Sequence, residues 1–265
     1  MEEKQILVKN LNINYKLFKG EKPFDVAQDK TLLVLHGWGS SSQRWQQVAE
    51  LLSQKNFLII IPDLPGFGKS QEPTNAWSLD NYVEWVKEFS DTIPQLQDRF
   101  YLLGHSFGGA VASKFSIKYN QKIEKLFLIS ASCIREKNLK KSILRQFSKL
   151  SKILFFLPFY DTVRKAFYKF IVGDNDSDYL NVNGIMRQSF LKIISEDLSQ
   201  KLYFIKNPTI IIWGDKDELT PLYQAKIINK KIINSKLIII PGGKHALQIS
   251  IPEILTEKIL ENLPH

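Results

Sequence analysis

Six short runs of the chain are apolar at successive positions: LLVL (32–35), FLIII (57–61), FYLL (100–103), KLFLIS (125–130), TIIIW (209–213) and KLIII (236–240). They are rich in β-branched and aromatic residues and are bounded by turn residues. That pattern predicts strands buried on both faces, as in a parallel sheet covered by helices. Helix-length segments lie between them at Gln43–Ser53, Leu79–Ile93, Ala110–Tyr119 and Leu222–Lys230. The alternation predicts an α/β fold with right-handed crossovers. Residues 5–17 read as two further strands, an antiparallel start that brings the mostly parallel sheet to eight, with 19–30 as a loop.

One region breaks the alternation. From Ile134 to about Tyr203 there is no strand pattern, and Leu139, Ile143, Phe147, Leu150 and Leu154 recur at helical spacing with lysines between them. The expected organisation is a core of residues 1–133 and 204–265, with a helical cap inserted at 134–203 over one end of the sheet.

Composition alters this picture little. The 265 residues suffice for one large domain or two small ones, and 44% apolar with 24% charged content is ordinary for a soluble globular protein. The formal charge of +9 is local: residues 134–170 hold ten Lys/Arg against two acids, so the rest of the chain is nearly neutral and nucleic-acid binding is not indicated. The basic stretch 135–152 reads first as a solvated lysine face. Peripheral contact with an anionic membrane surface, or attraction of acidic substrates, are its functional alternatives. The single cysteine, Cys133, permits no internal disulfide and fits a reducing compartment, the cytoplasm. The MEEKQ start shows no signal-peptide pattern, and no run reaches the roughly 18 apolar residues of a membrane span.

The candidate chemistry begins in YLLGHSFGGA (101–110), where a serine stands directly between a strand and a helix. Such a turn is sharp, and the residues two before and two after its apex must lack bulk. Gly104 and Gly108 occupy those places, and Gly109 and Ala110 keep the helix close. The turn would push the Ser106 hydroxyl above the sheet and aim helix N-terminal N–H groups at whatever binds there. A serine needs a base. Of four histidines, His105 is adjacent to Ser106 and leaves the turn in another direction. His36 comes early in the chain, and His265 is the last residue. His245, in the loop after strand 236–240, is the candidate. The orienting acid comes from GDKDELTP, where Asp217 is preferred to Asp215, read as bonding the loop backbone, and to Glu218. An oxyanion needs two preorganised donors. The N–H of Phe107 is one, and the N–H of Trp38, in HGWGSS after strand 32–35, is the other.

HGWG, DLPGFGKS, GHSFGG, GDKDELTP and GGKH, in this order and spacing, resemble the α/β-hydrolase superfamily across essentially the whole chain, and within it the small bacterial serine carboxylesterases. The resemblance implies the α/β-hydrolase fold and hydrolysis of a small-molecule ester of small or medium acyl chain through an acyl-enzyme. It implies Ser106 as nucleophile, Asp217 as acid, His245 as base, and Trp38 and Phe107 as backbone donors. It gives DLPGFGKS a structural role, with Asp63 and Gly66–Gly68 shaping a loop beside the nucleophile. No metal or cofactor is implied, and DNDSD (174–178) lacks the glycine and terminal glutamate of a calcium loop. Lactonases, carbon–carbon bond hydrolases and perhydrolases share the triad. Many of the carbon–carbon hydrolases carry Asn before the serine and Trp after the histidine, where this chain has His105 and Ala246. A non-catalytic ligand-binding protein on the same scaffold is the alternative from another class. Aromatic residues at 155–160 read as an acyl-pocket lining or as core packing, and Met186 as a residue facing the site.

Overall fold

The computed structural model describes residues 1–20, 30–55, 57–135 and 184–263. Eight strands form one sheet: β1 (Glu2–Val8), β2 (Leu11–Phe18), β3 (Lys30–Leu35), β4 (Phe57–Pro62), β5 (Phe100–His105), β6 (Ile123–Ile129), β7 (Thr209–Gly214) and β8 (Ser235–Ile240). Their spatial order is β1-β2-β4-β3-β5-β6-β7-β8. β1–β2 and β2–β4 pair antiparallel, and every other pair is parallel.

The apolar runs do what their composition requires. Leu33 and Leu35 face one hydrophobic cluster and Leu32 and Val34 the other, all at or below 1% exposure. On the first face lie α2 (Leu79–Thr92), α3 (Phe107–Lys118) and α5 (Leu222–Lys231). On the second lie α1 (Gln46–Ser53) and α7 (Pro252–Leu260), with the short α6 (Leu247–Ser250) before it. Each fully buried Leu, Ile or Phe side chain contributes about 1.5–3 kcal/mol relative to exposure, which fixes the sheet's place between the two helical layers. α2 starts at a capping box, with Ser78 accepting from Asn81 N–H and Asn81 returning to Ser78 N–H.

Three expectations change in detail. β8 is partly or fully exposed at every residue but its last, Ile240, because it is the edge of the sheet. The segment 43–53 splits into a 3₁₀ turn, Ser42–Trp45, and then α1. α3 begins at Phe107, three residues earlier than its apolar pattern suggests, because the helix starts at the serine turn itself.

Of the expected insertion at 134–203, residues 136–183 lie outside the described residues, and with them the 155–160 aromatics, DNDSD and nearly all of the basic stretch; His265 lies outside as well. Within the described part, α4 (Gly184–Ser195) packs on the core. Ser189 Oγ accepts from Trp77 N–H at 2.9 Å, and Lys192 Nζ donates to Ala76 C=O at 2.8 Å. Leu198 N–H donates to Cys133 C=O at 2.9 Å, and Arg135 N–H to Asp197 Oδ1 at 3.3 Å. Residues 133–135 and 197–198 are thus bonded side by side.

Candidate active site

The strand order places the site. The chain runs from β3 outward to β4, then returns to the other side of β3 as β5. The carboxyl ends of β3 and β5 thus flank the point where connections diverge, the usual ligand crevice of an open α/β sheet.

Ser106 follows β5 and precedes α3, with φ 52° and ψ −115°. A non-glycine residue pays steric energy there and persists only where its surroundings dictate it. They do. Ser106 N–H donates to Ile129 C=O at 3.0 Å, and Ser106 C=O accepts from Gly109, Ala110 and Ser132 N–H at 3.0, 3.2 and 2.9 Å. The small flanking residues are obligatory. A Cβ on Gly104 would come within 2.3 Å of Gly108 C=O, and one on Gly108 within 2.2 Å of Leu35 C=O. Phe107 is the first residue of α3, so its N–H has no partner inside the helix.

The HGWG loop lies against this turn. A Cβ on Gly37 would sit 3.3 Å from Ser106 Cβ. The Trp38 ring packs edge-on to Phe107 and Phe67, at 5.3 and 4.8 Å, and reaches Phe190 of α4 at 5.2 Å. Both expected oxyanion donors therefore belong to residues in mutual contact. Met186 is buried in the notch over Gly66, whose φ is +86° and whose absent Cβ would lie 2.4 Å from Met186 Sδ.

Asp217 and His245 meet directly. His245 Nδ1 lies 2.9 and 3.1 Å from the two Asp217 carboxylate oxygens. Burial pushes the Asp217 carboxyl up, but the hydrogen bond and charge of His245 and the Thr220 N–H together outweigh it and hold the group below its ordinary value. Leu219 and Thr220 N–H donate to Oδ1 at 3.0 and 2.9 Å, and Thr220 Oγ1 donates to Oδ2 at 2.8 Å. Thr220 is a neighbour of this pair that the sequence reading missed. The signal was available: a carboxylate followed at i+2 and i+3 by free N–H groups, with a hydroxyl at i+3, is a local turn motif. Asp215 bonds the loop backbone as expected, accepting from Gly242 N–H at 2.7 Å.

Among the described residues the Ser106 hydroxyl makes no hydrogen bond with the His245 ring, whose Nδ1 is engaged by Asp217. The two are linked through His105, whose ring centroid lies 5.0 Å from that of His245 and whose Nε2 donates to His245 C=O at 3.0 Å. His36 is also structural. Its buried ring donates from Nδ1 to Gly37 C=O at 2.8 Å and accepts at Nε2 from Leu64 N–H at 2.9 Å, joining HGWG to DLPGFGKS. Asp63 holds that second loop, accepting from Ser42 N–H at 2.6 Å, Lys69 N–H at 2.9 Å and Asn14 Nδ2 at 3.1 Å. Cys133 is buried beside Ser113, and burial pushes its thiol up to about 11. Among the described residues no group of three or more His, Cys, Asp or Glu is placed to hold a metal ion, and no helix is long and apolar enough to cross a membrane.

The chain belongs to the α/β-hydrolase fold family, whose model matches residues 30–154 and 144–252. It is similar to two enzymes called pimeloyl-[acyl-carrier protein] methyl ester esterase. The one from Wigglesworthia glossinidia brevipalpis is 33% identical over 83% of this chain and 88% of its own length. The one from Pectobacterium carotovorum is 28% identical over 88% of this chain and 94% of its own. A human monoacylglycerol lipase is 25% identical over 88% of this chain and 75% of its own length. In fold, a hydrolase from Pseudomonas aeruginosa superposes with a TM-score of 0.75 at 19% identity, covering 100% of this chain and 99% of that one.

Proposed function

We propose that the protein is a carboxylic ester hydrolase acting on esters of small or medium acyl chains, with Ser106 as nucleophile, His245 as general base, Asp217 as its orienting acid, and the N–H groups of Trp38 and Phe107 as oxyanion donors. The observation that carries this reading is the buried Asp217 carboxylate on His245 Nδ1, delivered by the loops after β7 and β8 to the edge where Ser106 is held at φ 52°. The names of the esterase and lipase relatives point to the same chemistry.

In the proposed cycle, His245 Nε2 takes the Ser106 proton as Oγ attacks the ester carbonyl. Asp217 keeps the Nδ1–H tautomer and stabilises the imidazolium. The two backbone N–H groups stabilise the charge on the carbonyl oxygen. His245 returns the proton to the leaving alcohol, and a water deprotonated by His245 then hydrolyses the Ser106 ester. In the same reading α4, which packs on Trp38 and over Gly66, borders this edge.

A p-nitrophenyl ester panel of increasing acyl length, extended by a pimeloyl methyl ester, tests the proposal on wild type and Ser106→Ala. Wild type is expected to turn over the short and medium esters, and Ser106→Ala to lose at least about 10³-fold in kcat. Equal slow release by both proteins would reject the enzyme reading in favour of a ligand-binding scaffold.

A further inference from the structure

His105 is buried, titratable and absent from the chemistry just described. It is the last residue of β5, and His245 lies in the loop after β8. In the sheet, β6 and β7 stand between these strands. Three strand spacings amount to about 14 Å, so the loop carrying His245 must arch back over two strand ends to approach Ser106.

The other restraints on that loop come from its own side of the sheet. Gly242 N–H is held by Asp215, Gly243 C=O accepts from Lys216 N–H at 2.9 Å, and the His245 ring is held by Asp217. Asp215, Lys216 and Asp217 all follow β7. Thr220, which touches both Asp217 and the His245 ring, lies 3.3 Å from Ser130 C=O at the end of β6, so these restraints reach β7 and β6 but not β5. The bond from His105 Nε2 to His245 C=O crosses the remaining gap.

We propose that His105 is a positioning residue, tying the main chain of the proposed base to the strand that carries the proposed nucleophile and so setting the separation of His245 and Ser106. A carbonyl only accepts, so Nε2 carries the proton and Nδ1 is bare. Nδ1 has no hydrogen-bond partner among the described residues, and a Cβ on Gly37 would lie 3.1 Å from it. The ring also packs edge-on against the fully buried Trp45, centroids 6.0 Å apart. Burial, and secondarily the neighbouring His245, lower His105 to about 3, so it stays a neutral donor while His245 gains and loses its proton. A lost or displaced anchor acts on the reacting geometry, where an error of about 1 Å costs up to about 100-fold.

The inference rests on the proposed roles of Ser106 and His245, and the experiment separates the two. Wild type, His105→Leu, His105→Asn and His105→Gln are titrated with a fluorophosphonate, and kcat and KM for a p-nitrophenyl ester are expressed per titrated site. The Gln amide nitrogen reaches as far as Nε2 and can donate; the Asn amide reaches only as far as Nδ1, and Leu has no donor. The expected result is that Leu and Asn lower kcat per site about 10-fold or more with KM changed less than about 3-fold, and that Gln restores at least half of the lost factor on a logarithmic scale. A merely structural role would reduce the titratable fraction and leave kcat per site unchanged. Wild-type kcat per site in His105→Asn or His105→Leu overturns the inference alone, as does a Gln variant no better than Asn. Should Leu fail to fold, the Asn–Gln pair decides by itself. A wild type that neither reacts with the fluorophosphonate nor hydrolyses the ester overturns the functional reading, and this inference with it.

Discussion

Gly108 shows how little latitude the serine turn has. The atoms its missing Cβ would meet, Leu35 and His36 carbonyl oxygens at 2.2 and 2.6 Å, are backbone and cannot rotate aside. Gly108→Ala should therefore part α3 from the end of β3 and cost about 3 kcal/mol. Thermal denaturation checks this; an unchanged midpoint would contradict the close approach. The glycines of GHSFGG were legible in the sequence because a strand–serine–helix turn admits nothing larger. The role of His105 was not. Adjacent residues leave a turn in different directions, and only the return of a remote loop gives His105 a partner.

Among the elements, the loops after β3 and β4 form one braced unit. Asp63 gathers three donors from the β2 strand, the 3₁₀ turn that follows HGWGSS and its own loop, and His36 joins the first turns of both loops. Removing the carboxylate leaves buried N–H groups without acceptors, each worth about 1–3 kcal/mol. Asp63→Ala is expected to lose about 3 kcal/mol in urea unfolding at pH 7. Its kcat per titrated site should fall much less than the loss of about 10³-fold in kcat expected of Ser106→Ala, because no Asp63 atom takes part in the proposed cycle. A variant as stable as wild type would refute the bracing. DLPGFGKS announced a structured loop through its glycines and proline. That Asp63 accepts from Ser42, twenty-one residues earlier, is a product of β3 and β4 lying side by side.

At the scale of the whole molecule, burial of His36 and His105 makes stability depend on pH. Both folded-state values lie below the ordinary 6.5, because desolvation disfavours the charged ring. Below pH 6.5 the unfolded chain takes up protons that the folded chain refuses. Stability is therefore fully present above about 6.5 and falls as the pH drops towards the folded-state values, by about 1.4 kcal/mol per pH unit for each histidine. For His105, with a folded value of about 3, the loss between pH 6.5 and 5 comes to about 2 kcal/mol. Urea unfolding at pH 7 and pH 5 should show His105→Gln losing about 2 kcal/mol less than wild type over that interval. Equal losses would mean that His105 is not held neutral by burial.

The apolar runs by themselves determined the six strands of the parallel part of the sheet and its two helical faces, since a run apolar at successive positions suits a strand covered on both sides; β8, exposed at the sheet edge, is the one that departs from that rule. The sequence also determined the serine turn, because Gly104, Gly108 and Ser106 lie within five residues and their constraint is local. The tertiary structure alone decided which side chains meet across the sheet edge: Asp217 with His245 and Thr220, His105 with the His245 carbonyl, His36 with Leu64. Each of those contacts joins residues brought near by strand order and loop path, and no local period in the sequence records such distances.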